Sequence, residues 1–396
     1  MRSETVKSTL LGAVLALFML MSTEGVARVA YTLWTDLHAH HDPWFIYSPD
    51  LGWNRRPGFS GSVGGFVRTF DSAGFFAVDS EDVADAQRKI LFLGDSNTFG
   101  YGTATPDSFP EGVERLVPDI GSINLGVAGA SSYQGRVGLS QYLPKLQPAL
   151  VIFSYNFNDR RYVLEPSEAD GPEAFERTWR ASTSPASLAS RFFEICYLCR
   201  SLRRVMRSVG LVSNEKAVLR DVSRLVPRVD EAAYRSNLVA VVQQSRAAGV
   251  PIVFILLRDN PAQTEYLNAG VDLLEQGHTE EAISKLETAV ELNNMFSDLA
   301  RLYLSRAYRA EGRESDARSI LMTQVEHDMT GGRPVRLDRD YNRIMKEVAS
   351  EYRVPIVDGA SVLDAHPEDF VDFCHFNASG HQRVAELVAA EIAKAL

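Results

Sequence analysis

Three residues able to activate a hydroxyl stand at telling places in this chain: Ser96, Asp372 and His375. Ser96 lies in "ILFLGDSNTFGYG" (Ile90–Gly102), where an apolar run stops at Gly-Asp-Ser and glycines follow at Gly100 and Gly102. A buried strand ending in such a loop presents a side chain for chemistry. Three chemistries compete for it. A phosphate-binding loop needs GxxxxGK[ST], but Tyr101 follows Gly100, so no lysine meets a phosphate. A metal-assisted phosphatase would use Asp95 as nucleophile, but no second acidic cluster stands ready to hold the metal. A serine nucleophile at Ser96 needs a base, an orienting acid and oxyanion donors. "DFCHFNASGHQRVA" supplies the first two, with Asp372 three residues before His375. In a one-turn loop, side chains at i and i+3 converge. A carboxylate there holds the imidazole tautomer and stabilises the imidazolium formed when the serine loses its proton.

Neighbouring candidates read as bland. Cys374 points away from His375 on a loop, and His381 reads as a helix-start residue. Cys196 and Cys199 form a CxxC in a helix interior rather than at a helix N-terminus after a strand. His38, His40 and His41 lack a ligand pattern, so no metal is expected, and no cofactor. Arg160 and Arg161 are weak candidates for holding an anionic substrate at the sheet edge; otherwise they are a solvated pair. The helix around Ser187–Val209 mixes five arginines with apolar residues and could lie on an anionic membrane.

The elements that must position these groups follow a rhythm. "RKILFLGDS", "SINLGVAG", "PALVIFSYNFND", "VPIVFILLRDN" and the end of "RIMKEVASEYRVPIVDGA" read as strands, with helical segments between them and "HQRVAELVAAEIAKAL" as a closing helix. Such alternation implies right-handed crossovers, a parallel sheet and helices on both faces, with sites at the carboxyl ends of strands. Ser96, Gly129 and Asn158 all fall just past a strand end.

With these blocks in order, the chain resembles the SGNH (GDSL-type) hydrolases. "GDSNTFGYG", "NLGVAGAS", "NFND" and "DFCH" carry the likeness, which spans about residues 88–260 and 335–396. The resemblance implies a three-layer α/β/α flavodoxin-like fold. It implies Ser96 as nucleophile, His375 as base and Asp372 as its orienter. The oxyanion hole would be the Ser96 and Gly129 N–H groups and the Asn158 amide, with Gly126 a weaker rival to Gly129. The third block usually reads Gly-x-Asn-Asp; here Asn156 replaces the glycine, which bears on loop shape.

Residues 261–326 break the rhythm. "YLNAGVDLLEQGHTEEAISKLETAVELNN" and "LARLYLSRAYRAEGRESDARSILMTQ" place Gly277 and Gly312 thirty-five residues apart, and this segment resembles two tetratricopeptide repeats. The expected organisation is a signal anchor or signal peptide over 1–27, an irregular or β region over 28–87, a hydrolase domain over 88–260 and 327–396, and a helical insertion between its parts.

Arg2 and Lys7 precede an uncharged stretch from Ser8 to Thr23. At about 1.5 Å per residue it spans roughly 24 Å, short of a ~30 Å hydrocarbon core unless flanking residues extend it. The expectation is a membrane-anchored protein with its catalytic domain outside the cytoplasm, or a secreted one if the segment is cleaved after Ala27. The net charge of −10 argues against nucleic acid as a partner. The sequence thus points to an exported serine esterase acting on an ester-bearing small molecule, glycan or lipid. The alternatives are an O-acyltransferase on a cell-envelope polysaccharide and a dormant membrane-tethered module that binds a protein through its repeats.

Overall fold

The computed structural model describes Ser22 and residues 44–77, 86–163, 170–182, 226–292, 294, 296–322 and 341–395. The expected anchor (Ser22 apart), His38, His40, His41, the Cys196–Cys199 pair and the arginine-rich helix lie outside the described residues. Among the described residues no helix is long and apolar enough to cross a membrane. The chain divides into two units, residues 1–41 with 177–218 and residues 42–176 with 219–396. The second carries the hydrolase blocks.

This unit opens with two antiparallel hairpins, β1 (Phe45–Ser48) with β2 (Gly52–Arg55) and β3 (Ser60–Val63) with β4 (Phe66–Thr69). The core begins with β5 (Arg88–Gly94), α1 (Ser96–Phe99), α2 (Phe109–Leu116), β6 (Ile120–Asn124), α3 (Ser132–Leu146) and β7 (Leu150–Ser154). After β7 come β8 (Tyr162–Val163), α4 (Pro172–Ser182, which belongs to this unit only through residue 176), β9 (Val226–Pro227), α5 (Glu231–Ala247) and β10 (Ile252–Leu256). Four further helices, α6 (Pro261–Glu275), α7 (Thr279–Glu291), α8 (Ser297–Ala310) and α9 (Glu314–Met322), precede the last core elements. These are α10 (Tyr341–Tyr352), β11 (Ile356–Asp358), α11 (Gly359–Asp364) and α12 (Ala378–Ala395).

Five strands form one parallel sheet in the order β6-β5-β7-β10-β11. That is the flavodoxin-like arrangement, whose order reverses between the first and third strands, here β5 and β7. Alternate residues of each strand enter opposite cores, as the two-residue period requires. Leu91, Leu93, Val151 and Phe153 pack under α3, α5 and α10, while Ile90, Phe92, Leu150 and Ile152 pack under α2, α11 and α12. Both faces are covered, which is why these strands read as unbroken apolar runs. The expected three-layer fold is the observed one.

Helices α6–α9 have a core of their own, including Leu267, Leu286, Leu304 and Ala307. A Cβ at Gly270 would lie 2.6 Å from Leu286, so this glycine sets the close approach of α6 to α7. Ser305, thirty-five residues on, is also small, and its hydroxyl donates to the Ala317 carbonyl of α9 at 2.9 Å.

Candidate active site

Ser96 is the first residue of α1, directly beyond β5. Asp95 caps this short helix, its Oδ1 accepting the Asn97 N–H at 3.0 Å. Gly94 has to be glycine: a Cβ there would lie 1.8 Å from Thr98 Oγ1 and 2.9 Å from the Ser154 carbonyl. The turn after α1 is gripped from the N-terminal hairpins. The buried Arg68 of β4 donates to the Gly100 carbonyl at 2.6 Å and to the Thr103 carbonyl. Burial lowers its pKa to about 10, which leaves it charged at neutral pH.

The structure brings Ser96, His375 and Asp372 into one chain. Ser96 Oγ and His375 Nε2 are 2.8 Å apart, and His375 Nδ1 and Asp372 Oδ2 are 2.7 Å apart. The other Asp372 oxygen accepts the N–H groups of Cys374 and His375 at 2.9 and 2.8 Å. Burial pushes the Asp372 carboxyl up, but the bonds from His375 and the two backbone N–H groups outweigh it, and the net shift is downward. An ionised Asp372 leaves His375 Nε2 free to accept the serine proton. The imidazole packs against Tyr101 and Phe373, with ring centroids 4.6 and 5.9 Å away. The Cys374 thiol is buried, and burial raises its pKa well above the usual value, so it is not a thiolate nucleophile, although its sulfur lies within 4.8 Å of a ligand atom of Asp372 and of His375. His381 is wholly buried in α12, accepts the Phe109 N–H, and is pushed down to about 3 by desolvation. It is a neutral packing residue, as its position suggests.

Across Ser96 lie the loops after β6 and β7. Gly126 donates its N–H to Asn124 Oδ1 at 2.9 Å, which commits that group elsewhere. Gly129 has φ +76°, a left-handed backbone that glycine adopts without strain. The loop is held by its carbonyls: Trp53 Nε1 donates to Ala128 at 3.0 Å and Arg228 to Gly129 at 2.7 Å. Arg228 also pairs with Asp170 at 2.6 Å and donates to Gln134 at 2.7 Å. Asn158 is buried, and its amide donates to Asp95 Oδ2 at 3.3 Å, which ties the third block to the first. Burial raises Asp95 to about 6 against the opposing Asn97 N–H, His375 charge and Asn158 bond. Asp159 accepts from the Ser132 N–H at 2.9 Å and from its hydroxyl, joining the two loops. Burial raises its pKa to about 7 against those bonds.

Two expectations need adjusting. Arg160 is not a solvated residue at the sheet edge: it is 6% exposed and its guanidinium pairs with Asp259 at 2.8 Å, so its charge is already matched inside the protein. Arg161 is half-buried, and its backbone bridges the Asn158 carbonyl and the Arg228 N–H. Asn156, where glycine was usual, does not have a positive φ, and its amide donates to Asn342 Oδ1 of α10 at 2.8 Å. Nothing in this backbone conformation requires a glycine at 156. Asp95, Asn97, Asn156, Arg160 and Cys374 line one small pocket, with Asp259 beside them. Sequence reasoning missed Arg68, Trp53, Arg228 and Asp259, single residues in turn-rich or loop segments with no pattern around them.

A flavodoxin-like sheet with a Ser–His–Asp hydrogen-bond chain at its carboxyl edge defines a serine hydrolase. Residues 92–383 match the GDSL-like lipase/acylhydrolase family, and the chain belongs to it. The solved structures it is similar to include a lipase/acylhydrolase from Enterococcus faecalis, at 13% identity over 78% of this chain and 97% of that one, with a TM-score of 0.38. Others are a GDSL-like lipase from Bacteroides thetaiotaomicron (12% identity, 80% and 96% covered, TM-score 0.36) and a catalytic mutant of an acetylxylan esterase from Geobacillus stearothermophilus (12%, 78% and 94%, 0.36). Among curated proteins nothing matches.

Proposed function

We propose that the protein hydrolyses a carboxylic ester by two-step acyl transfer, with Ser96 as nucleophile, His375 as general base and Asp372 as its orienter. The observation that carries this reading is the unbroken chain from Ser96 Oγ to His375 Nε2 at 2.8 Å and from His375 Nδ1 to Asp372 at 2.7 Å. Ser96 attacks the ester carbonyl while its proton passes to His375. The charge that develops on the carbonyl oxygen is met by the Ser96 and Gly129 N–H groups and the Asn158 amide. Asn158 has a second amide hydrogen for this purpose while the first stays on Asp95. His375 then protonates the leaving alcohol and activates the water that cleaves the acyl-enzyme. The ester belongs to an O-acylated envelope glycan or a lipid, and the protein works outside the cytoplasm, held at a membrane by residues 1–27. The charge pattern of those residues supports the location in this reading.

The test is labelling with a fluorophosphonate, with hydrolysis of p-nitrophenyl acetate beside it, on wild type, Ser96→Ala and His375→Ala. Labelling and turnover lost in both variants support the assignment. A Ser96→Ala protein that labels and turns over like the wild type overturns it.

A further inference from the structure

The helical insertion leaves the core at Asp259 and Asn260, just past the carboxyl end of β10, and that junction touches the acid–base loop directly. The Asn260 N–H donates to the Phe373 carbonyl at 2.8 Å, and its side-chain amide donates to the Asp372 carbonyl at 3.0 Å. The same side chain caps α6 by accepting the Ala262 N–H at 3.0 Å. Asn260 is 6% exposed, so these bonds form out of water. Phe373 projects the other way, into the insertion's apolar cluster. Its ring lies edge-on to Phe296 at 5.5 Å and packs on Phe157 at 5.6 Å and on the His375 imidazole at 5.9 Å. Phe157 stands next to Asn158, and Asp259 pairs with Arg160 on the same loop.

The shape of the Asp372–His375 loop is local, because the Asp372 carboxylate accepts its own loop's N–H groups. Its placement is not. Asn97 holds the Cys374 carbonyl from the nucleophile's side at 3.0 Å, and Asn260 holds the Asp372 and Phe373 carbonyls from the insertion's side. A loop of fixed shape that drifts by a fraction of an ångström lengthens the His375–Ser96 bond while leaving the His375–Asp372 bond intact. Such misplacement is costly, up to about a hundredfold per ångström.

We propose that Asn260 and Phe373 are positioning residues, through which the helical insertion sets the Asp372–His375 loop against Ser96. The proposal rests on the serine-esterase reading. Asn260→Ser is the sharpest variant: its hydroxyl still caps α6 but is too short to reach the Asp372 carbonyl. On p-nitrophenyl acetate, Asn260→Ser is expected to lose about tenfold in kcat with KM and Tm close to wild type. Phe373→Ala is expected to lose between about tenfold and a hundredfold, and Phe373→Leu, which refills the apolar site, recovers most of it. Leu286→Ala, in the insertion's core and away from the loop, lowers Tm but leaves the kcat of the folded fraction unchanged. Asn260→Ser and Phe373→Ala within twofold of wild-type kcat, or losing activity only in proportion to unfolded protein, overturn the proposal. A folded wild type that no fluorophosphonate labels removes the esterase reading, and this proposal with it.

Discussion

The two sides of Ser96 are built in opposite ways. On one side, Asp372 and His375 are three residues apart, and the carboxylate that orients the imidazole also closes the loop by accepting its N–H groups. On the other, Gly129 and Asn158 sit on loops held at a distance. Trp53 grips the Ala128 carbonyl from 75 residues away, and Arg228 grips the Gly129 carbonyl from 99. The acid–base pair needs its correct relative geometry in every turnover, and a short loop delivers it cheaply in conformational entropy. The proposed oxyanion donors would have to converge on a point outside any one loop. Only contacts across the fold can fix that point: the Gly129 loop is held by its carbonyls, and Asn158 by the Asp95 carboxylate. A local unit fails all at once when its central group is removed, whereas a distributed one fails in steps.

Measurements can break or sharpen that contrast. The largest effect belongs to the local side: Asp372→Asn is expected to lose on the order of 10³–10⁴ in kcat, because the amide offers the wrong partner to the imidazole. A loss below about tenfold would mean that the loop's backbone bonds alone orient His375. Next comes Asn158→Ala, expected to cost about 10²–10³ in kcat with KM nearly constant, as loss of one oxyanion donor does. An effect on KM alone would take Asn158 out of the transition state. Arg228→Lys keeps the charge near Asp170 but loses the fork that reaches Gly129 and Gln134. It should lower kcat by about tenfold, and full activity would show that the loop holds its shape unaided.

The smallest effect concerns Asp159, which links the oxyanion loops. Its folded pKa is raised to about 7, so the fold keeps a proton that the unfolded chain has lost above about pH 4. The stability this group contributes is therefore present at low pH and lost as pH rises toward about 7. Asp159→Asn removes that dependence. The stability of wild type minus that of the variant, from urea unfolding, should fall by roughly 3 kcal/mol between pH 5 and pH 8. A difference that stays flat would mean Asp159 is ionised throughout.

Much of the catalytic face was legible before any fold was known. Ile90–Leu93, Leu150–Phe153 and Ile252–Leu256 are apolar at every position, since both faces of a covered parallel sheet are dry, and their spacing with helices between them implied a parallel sheet covered on both faces. Asp372 and His375 were legible because their interaction spans one turn. The hairpins between Phe45 and Thr69 were not, because four-residue strands are too short to show a period. Arg160 was misread for a related reason: a charged residue after a strand looks solvated until Asp259, 99 residues on, is folded against it.

By itself, then, the sequence determined the layered α/β fold, the nucleophile's turn and the acid–base pair, all features written in short-range periodicity or i, i+3 spacing. The tertiary structure alone decided where the loops come to rest. Arg68 on Gly100, Trp53 on Ala128, Arg228 on Gly129 and Asn260 on Asp372 are side-chain donors meeting backbone carbonyls 32 to 112 residues away. A backbone carbonyl carries no residue identity, so nothing in the sequence marks it as a partner. Only the path of the folded chain brings donor and acceptor together.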